Sequence, residues 1–435
     1  MNWSPEMTAT IEKPTVELPT GASWINWGLG VLFLMSCVFS VVSFAVLAPS
    51  IAEETKLSSG TLSALTSVFF FTYSIAQLAA GLLIDRIGCR WLLGITTLIA
   101  SVGGFIFIST DSLFLMYLSR AMMAIGLSSA FVGGLYLASK WFPASRFGVM
   151  SGVTNMAANL AGAIGSWAIA GLSYQPVVLW WAVINTGIAV FILMLVRSRV
   201  PQQDPQPETT EESMSLLTIF GLLFRSKQVW LASIFFTGTF GTFLSYADFW
   251  NIQIQQAYGL DIGKAASFNA LLPIGLAAGS VLFGLFSDKI RKVAMPCQIC
   301  AVSSLVFMAI LVYTPYTPIW VVACLHFMAG FCIGGSTLAF PAAVQHCRAS
   351  MQGAAIGLVT TCGYIGAGVL NLIVPPIIGT IKDFGQSPFS FMDPIQLTDD
   401  QLFEVGAFKE GMIPLMAALL LAAIASFMLR DAKRS

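Results

Sequence analysis

Charge is scarce in this 435-residue chain: Asp, Glu, Lys and Arg make up 10% of it, with 21 acidic and 21 basic residues, and histidine occurs twice. A soluble enzyme keeps itself in water with a charged surface, so this scarcity, beside 57% apolar residues and a mean hydropathy of +0.81, excludes that class. The zero net charge excludes electrostatic attachment to nucleic acid. Residues 1–23 carry Glu6, Glu12 and Glu17 without an apolar core, so no cleavable leader is expected and the first helix is read as an uncleaved anchor. The eight cysteines fall mostly inside apolar runs, where they act as small packing residues. Cys297-Gln-Ile-Cys300 has redox spacing but neither His nor carboxylate beside it, so no metal or cofactor is expected.

Apolar runs are what the chain has in quantity. A helix needs roughly 20 apolar residues to cross a bilayer, and twelve such runs occur: 27–47, 61–83, 92–109, 112–137, 148–171, 178–196, 229–251, 267–286, 294–313, 318–340, 354–374 and 407–429. With both termini placed in the cytoplasm, sixteen of the 21 basic residues fall on the inner side, as the positive-inside rule requires. Lys56, Lys264, Lys382 and Lys409 are then external, and Arg120 lies within a span. The expected organisation is a cytoplasmic tail (1–23), a six-helix bundle (24–197), a polar, proline-rich linker (198–228), a second bundle (229–430) and a short cytoplasmic tail (431–435). Leu216, Leu217, Phe220, Leu223 and Phe224 recur at helical spacing, which predicts an amphipathic helix on the inner surface at the end of the linker. The acidic stretch 382–410 is read as the longest external loop, a solvated cap.

One short pattern occurs twice. Gly81-x3-Asp85-Arg86-x-Gly88-x-Arg90 ends the second span, and Gly284-x3-Asp288-Lys289-x-Arg291 ends the eighth. Each is a tight charged turn leading into the next span, where a carboxylate can pair with a guanidinium or cap a helix N-terminus across the interface between halves. The functional reading is a conformational latch made by Gly81, Asp85, Arg86, Gly88, Arg90, Gly284, Asp288 and Lys289, favouring the outward-facing state; the alternative is simple positive-inside anchoring. A second repeat sets Arg146-Phe-Gly148 beside Met351-Gln-Gly353, each entering the fifth helix of its half.

Twelve spans, a link after the sixth and this turn resemble the major facilitator superfamily over essentially the whole chain. Cys89 and Trp91 stand where that family often has basic residues, and the second copy lacks a glycine after Ile290. The segment around Arg120–Gly126 and Lys140–Asn155 resembles bacterial permeases grouped with sugar-phosphate and organic-anion carriers. Gly152–Gly165 has no proline, unlike the glycine-proline motif of drug/proton antiporters. The resemblance implies an all-α membrane protein of two pseudo-symmetric six-helix bundles, working by alternating access about a midplane site.

Charge inside a span costs roughly 2.5–3.5 kcal/mol on insertion scales, so it demands an explanation. Arg120 stands eight residues into the fourth span, about 12 Å deep at 1.5 Å per residue, where the resemblance places the family's fourth-helix arginine. It reads as an anion-binding or proton-coupling residue, or else as a structural donor to carbonyls. Asp248, near the outer end of the seventh span, reads as a proton-coupling carboxylate or as an exposed helix-end acid. His326 in the tenth span is the other coupling candidate, with a packing role as its alternative, and His346 is read as solvated. Tyr73 and Gln77, Asn155 and Asn159, and Tyr364 and Asn371 lie on common helix faces, and with Trp250 and Arg120 make the candidate solute contacts.

The expected function is secondary active transport across a bacterial inner membrane: proton-coupled import of a small polar or anionic solute by a monomer whose partners are solute, protons and lipid. No Gly-x4-Gly-Lys-Ser/Thr loop occurs, which excludes direct coupling to ATP. The rival readings are an exporter of a metabolite, siderophore or drug, and a transporter-like solute sensor.

Overall fold

The computed structural model describes residues 21–142, 147–197, 216–314, 318–347, 351–384 and 399–431, among which there is helix and no strand. Most of both expected tails and of the linker lies outside them. Twelve long helices follow in turn among the described residues, eleven of them long and apolar enough to cross a membrane. The first half contains α1 Gly21–Thr55, α2 Ser59–Ile87, α3 Cys89–Ile108, α4 Leu113–Trp141, α5 Phe147–Ala168 and α6 Tyr174–Leu195. The second contains α7 Lys227–Ala257, α8 Ile262–Ile290, α9 Ala294–Tyr313, α10 Ile319–Val344, α11 Gln352–Phe384 and α12 Glu404–Met428. Just before α7, a short helix Leu216–Arg225 occupies the expected amphipathic segment. An even number of crossings puts both chain ends on one face, called here the terminal face.

Several helices outrun the apolar runs that mark them. At 35 residues α1 exceeds the roughly 20 that span hydrocarbon, and caps fix the extended ends of others. Ser58 accepts from Thr61 N at the start of α2, and Asp261 from Lys264 N at the start of α8. That backbone N–H bond and the neighbouring Lys264 ammonium hold the Asp261 carboxyl below its ordinary range.

The reading of 382–410 as a solvated cap fails from Asp399 onward. Asp399–Gly411 is helical, contains the first residues of α12, and is separated only by Met412 from the helix Ile413–Met428. Val405, Phe408 and Met412, spaced three and four apart, pack it inward, and Lys409 is fully buried with them.

Two features tune the crossings. α8 and α10 approach most closely through Gly275 and Gly279 on one and Gly330 and Gly334 on the other; a Cβ at any of them would strike the facing backbone. α4, α7 and α10 depart from α-helical hydrogen bonding mid-span: at Ser128–Ser129, at two π-helical turns Thr237–Gly241 and Tyr246–Trp250, and at the 3₁₀ turn Gly335–Leu338. π turns occur disproportionately at functional sites.

The halves meet along α2 with α11 and α5 with α8, while α1 lies against the second π turn of α7. Toward the face opposite the termini, Ser63 Oγ donates to the Asn371 carbonyl, and Gly60 and Gly171 abut Pro375 and Ile262. There the described residues of the two halves touch. At the terminal end of α2 and α8, a Cβ on Gly81 or Gly284 would meet nothing within 4 Å.

Candidate functional site

Arg120, eight residues into α4, is 2% exposed. Its guanidinium carbon lies 4.2 Å from the Phe44 ring centre on α1 and 4.6 Å from that of Phe69 on α2. Two desolvated cation–π contacts contribute roughly 2 kcal/mol each, comparable to the insertion penalty, so the rings shelter the charge without neutralising it. Nε has no hydrogen-bond partner. The group borders a cleft of about 20 Å³, room for one water, between Ser40, Ser43, Phe107 and Trp181.

Asp248 is not the shallow helix-end acid that a span ending at 251 allows. α7 continues to Ala257, and Asp248 is 2% exposed within the π turn Tyr246–Trp250, with Oδ2 unpartnered. The turn packs on α1, so Arg120 of one half and Asp248 of the other sense each other's charge without closing an ion pair.

Aromatic side chains continue this centre along the interface. Tyr73 stacks on Phe69 at 5.8 Å and lies 4.6 Å from Tyr364 of α11, joining the two halves ring to ring. Gln77, one turn along α2, is buried with Oε1 unpartnered. Through Phe69, Tyr73 and Tyr364 thus adjoin Arg120, while Arg120, Gln77 and Asp248 each keep a buried polar atom with no hydrogen-bond partner among the described residues.

The other candidate residues take different places. Asn371 Oδ1 accepts from Ser245 Oγ at 2.7 Å and from Trp250 Nε1 at 3.0 Å, so Asn371 and Trp250 join α7 to α11. Asn155 is exposed on α5 and Asn159 donates back to its carbonyl, outside the buried region. His326 is fully buried against Phe268, its nitrogens facing Val322 O and Asn251 Oδ1. His346, read as solvated, is exposed, with Nε2 2.7 Å from the Arg430 carbonyl. Lys409, placed outside by sequence reasoning, has its ammonium 5.9 Å from the Tyr258 ring. Its cue was the inward stripe of Val405, Phe408 and Met412.

Of the latch residues, the Asp85 and Arg86 side chains lie outside the described residues. Gly88 joins α2 to α3, and Arg90 Nε is buried with no hydrogen-bond partner among the described residues. Asp288 and Lys289 are exposed, and neither forms an ion pair with a described residue. Asp431, after α12, accepts from Val293 N and Ala294 N and so caps α9 beside the second turn.

The Major Facilitator Superfamily profile matches residues 28–370. The chain belongs to this superfamily. It is a solute transporter of the membrane, not an enzyme. The probable sulfoacetate transporter SauU of Cupriavidus necator is 25% identical over 290 residues, covering 61% of this chain and 65% of that protein. The probable L-galactonate transporter of Escherichia coli is 25% identical over 414 residues, covering 88% of this chain and 90% of that protein. A bacterial homologue of the human lysosomal transporter Spinster, solved inward-facing and unoccupied, superposes with a TM-score of 0.73 at 15% identity over 94% of this chain and 96% of that one, a likeness of fold.

Proposed function

We propose that this superfamily transporter imports a small organic anion together with protons across the bacterial inner membrane, as a monomer with both termini in the cytoplasm. The observation that carries the reading is Arg120, a buried guanidinium that forms no ion pair among the described residues and whose charge is felt by Asp248 of the other half. An arginine stays charged where a lysine can lose its proton, and its fork donates two parallel hydrogen bonds to a carboxylate or sulfonate. An arriving anion competes with the Asp248 carboxylate for Arg120, and protonation of Asp248 removes the competitor. Binding and proton uptake then favour each other. The organic-anion names of the two relatives support the same substrate class. The contacts between halves toward the face opposite the termini, and the lack of an ion pair to Asp288 or Lys289 among the described residues, support a state open to the terminal side, with the Asp85 and Asp288 turns engaging as that side closes.

The test is affinity by calorimetry for sugar acids and small sulfonates, with transport in proteoliposomes. Arg120→Lys should weaken binding by roughly 1–3 kcal/mol, and Arg120→Ala should abolish it with melting temperature largely kept. Asp248→Asn should keep solute exchange and lose proton-driven accumulation. Normal affinity in Arg120→Ala would remove the anion-binding role.

A further inference from the structure

Four polar contacts in the second half form an unbranched chain between two backbone carbonyls. His326 Nδ1 lies 2.7 Å from Val322 O, His326 Nε2 3.0 Å from Asn251 Oδ1, Asn251 Nδ2 2.9 Å from Asn269 Oδ1, and Asn269 Nδ2 2.9 Å from Ala247 O. His326, Asn251 and Asn269 are all 0% exposed.

Each contact needs one hydrogen between its heavy atoms. Both end groups are carbonyls and supply none. Each asparagine presents NH₂ at one contact and oxygen at the other, so each supplies one hydrogen whichever way its amide is turned. A neutral imidazole supplies one more. The total is three hydrogens for four contacts, and reversing either amide only moves the acceptor–acceptor clash along the chain. A ring protonated on both nitrogens supplies the fourth.

We infer that His326, Asn251 and Asn269 form a proton-binding site in which the imidazole carries a hydrogen on both nitrogens, and that releasing this proton breaks one contact of the chain. The far end of that chain is the Ala247 carbonyl, inside the π turn that presents Asp248, and Asn251 directly follows that turn. Proton loss at His326 is therefore felt in the backbone that positions Asp248 toward Arg120. Phe268 and Asn269 of α8 and Asn251 of α7 face the ring or extend its chain, no charged side chain among the described residues acts on it, and burial among neutral groups works against the charge that the fourth hydrogen brings. That this proton accompanies the solute rests on the proton-coupled reading above; the count of hydrogens does not.

Only two histidines occur, so ¹⁵N-histidine labelling of the full chain in lipid bilayers gives two ring signals, assigned with His346→Asn. Wild type at pH 7 should show both His326 nitrogens protonated. Asn269→Leu, close in shape, shortens the chain to two contacts: Nδ1–H donates to Val322 O and Nε2 accepts from Asn251. A neutral ring satisfies both, so this variant should show one bare nitrogen. A bare nitrogen in wild type, or an unchanged doubly protonated ring in Asn269→Leu, overturns the site. In proteoliposomes Asn269→Leu should keep solute exchange and lose at least tenfold in proton-driven accumulation. Normal accumulation with a bare nitrogen overturns the link to transport alone, and loss of exchange in Arg120→Ala but not here separates this site from solute binding.

Discussion

At Arg120, two phenylalanine rings replace the water that a guanidinium ordinarily needs, whereas at Asn371 a single amide oxygen serves two buried donors. The two arrangements respond differently to substitution. Asn371→Leu strands both Ser245 Oγ and Trp250 Nε1, at roughly 1–3 kcal/mol for each unsatisfied donor. Ser245→Ala removes one donor and leaves Trp250 paired, so its effect should be about 1 kcal/mol. Thermal unfolding of the two variants checks this, and equal melting temperatures would show that the amide is not the shared acceptor. Arg120, Asp248 and His326 were legible in the sequence because charge or imidazole in an apolar run has few reasons to exist. The bonding of Asn371 to Trp250 was not, because 121 residues separate them and only the packing of α7 on α11 brings them together.

The two repeated turns solve one steric problem with different residues. After Ile87 the chain turns at Gly88, φ 82° and ψ 148°, a combination essentially open to glycine alone; after Ile290 it turns at Arg291, φ 56° and ψ 32°, which other residues tolerate with strain. Gly88→Ala should therefore cost roughly 1–3 kcal/mol, while Arg291→Gly should leave stability unchanged or raised by up to about 1 kcal/mol. Chemical unfolding that ranks the two in the opposite order would refute this account. Nearby, Asp431→Ala removes the acceptor for two N–H groups at the start of α9 and should cost about 1 kcal/mol. Hydropathy placed every crossing, yet it was silent on helix ends, where caps set the boundary, and on the π turns of α7, which leave no compositional mark.

For the whole molecule, the contacts between halves toward the face opposite the termini bear most directly on conformation. A Cβ built on Gly60 lies 3.6 Å from that of Pro375, within the range of disulfides. Gly60→Cys with Pro375→Cys should cross-link α2 to α11 on oxidation and stop solute flux, with reductant restoring it. Continued flux by the cross-linked protein would mean that these helix ends stay together throughout the cycle.

By itself the sequence determined twelve crossings, two related halves and the residues whose burial had to be explained, because bilayer thickness and the expense of intramembrane charge act on short stretches of chain. Only the tertiary structure decided which of those residues meet. Asp248 became a central residue rather than a helix-end acid because α7 runs past it and packs on α1. Lys409 moved from an external loop to the interior because the helix carrying it folds onto the second half. His326 acquired its count of hydrogens from amides on two other helices. Contacts of this kind depend on helix rotation and separation, set by small-residue crossings and π turns summed over both halves, and no local pattern encodes them.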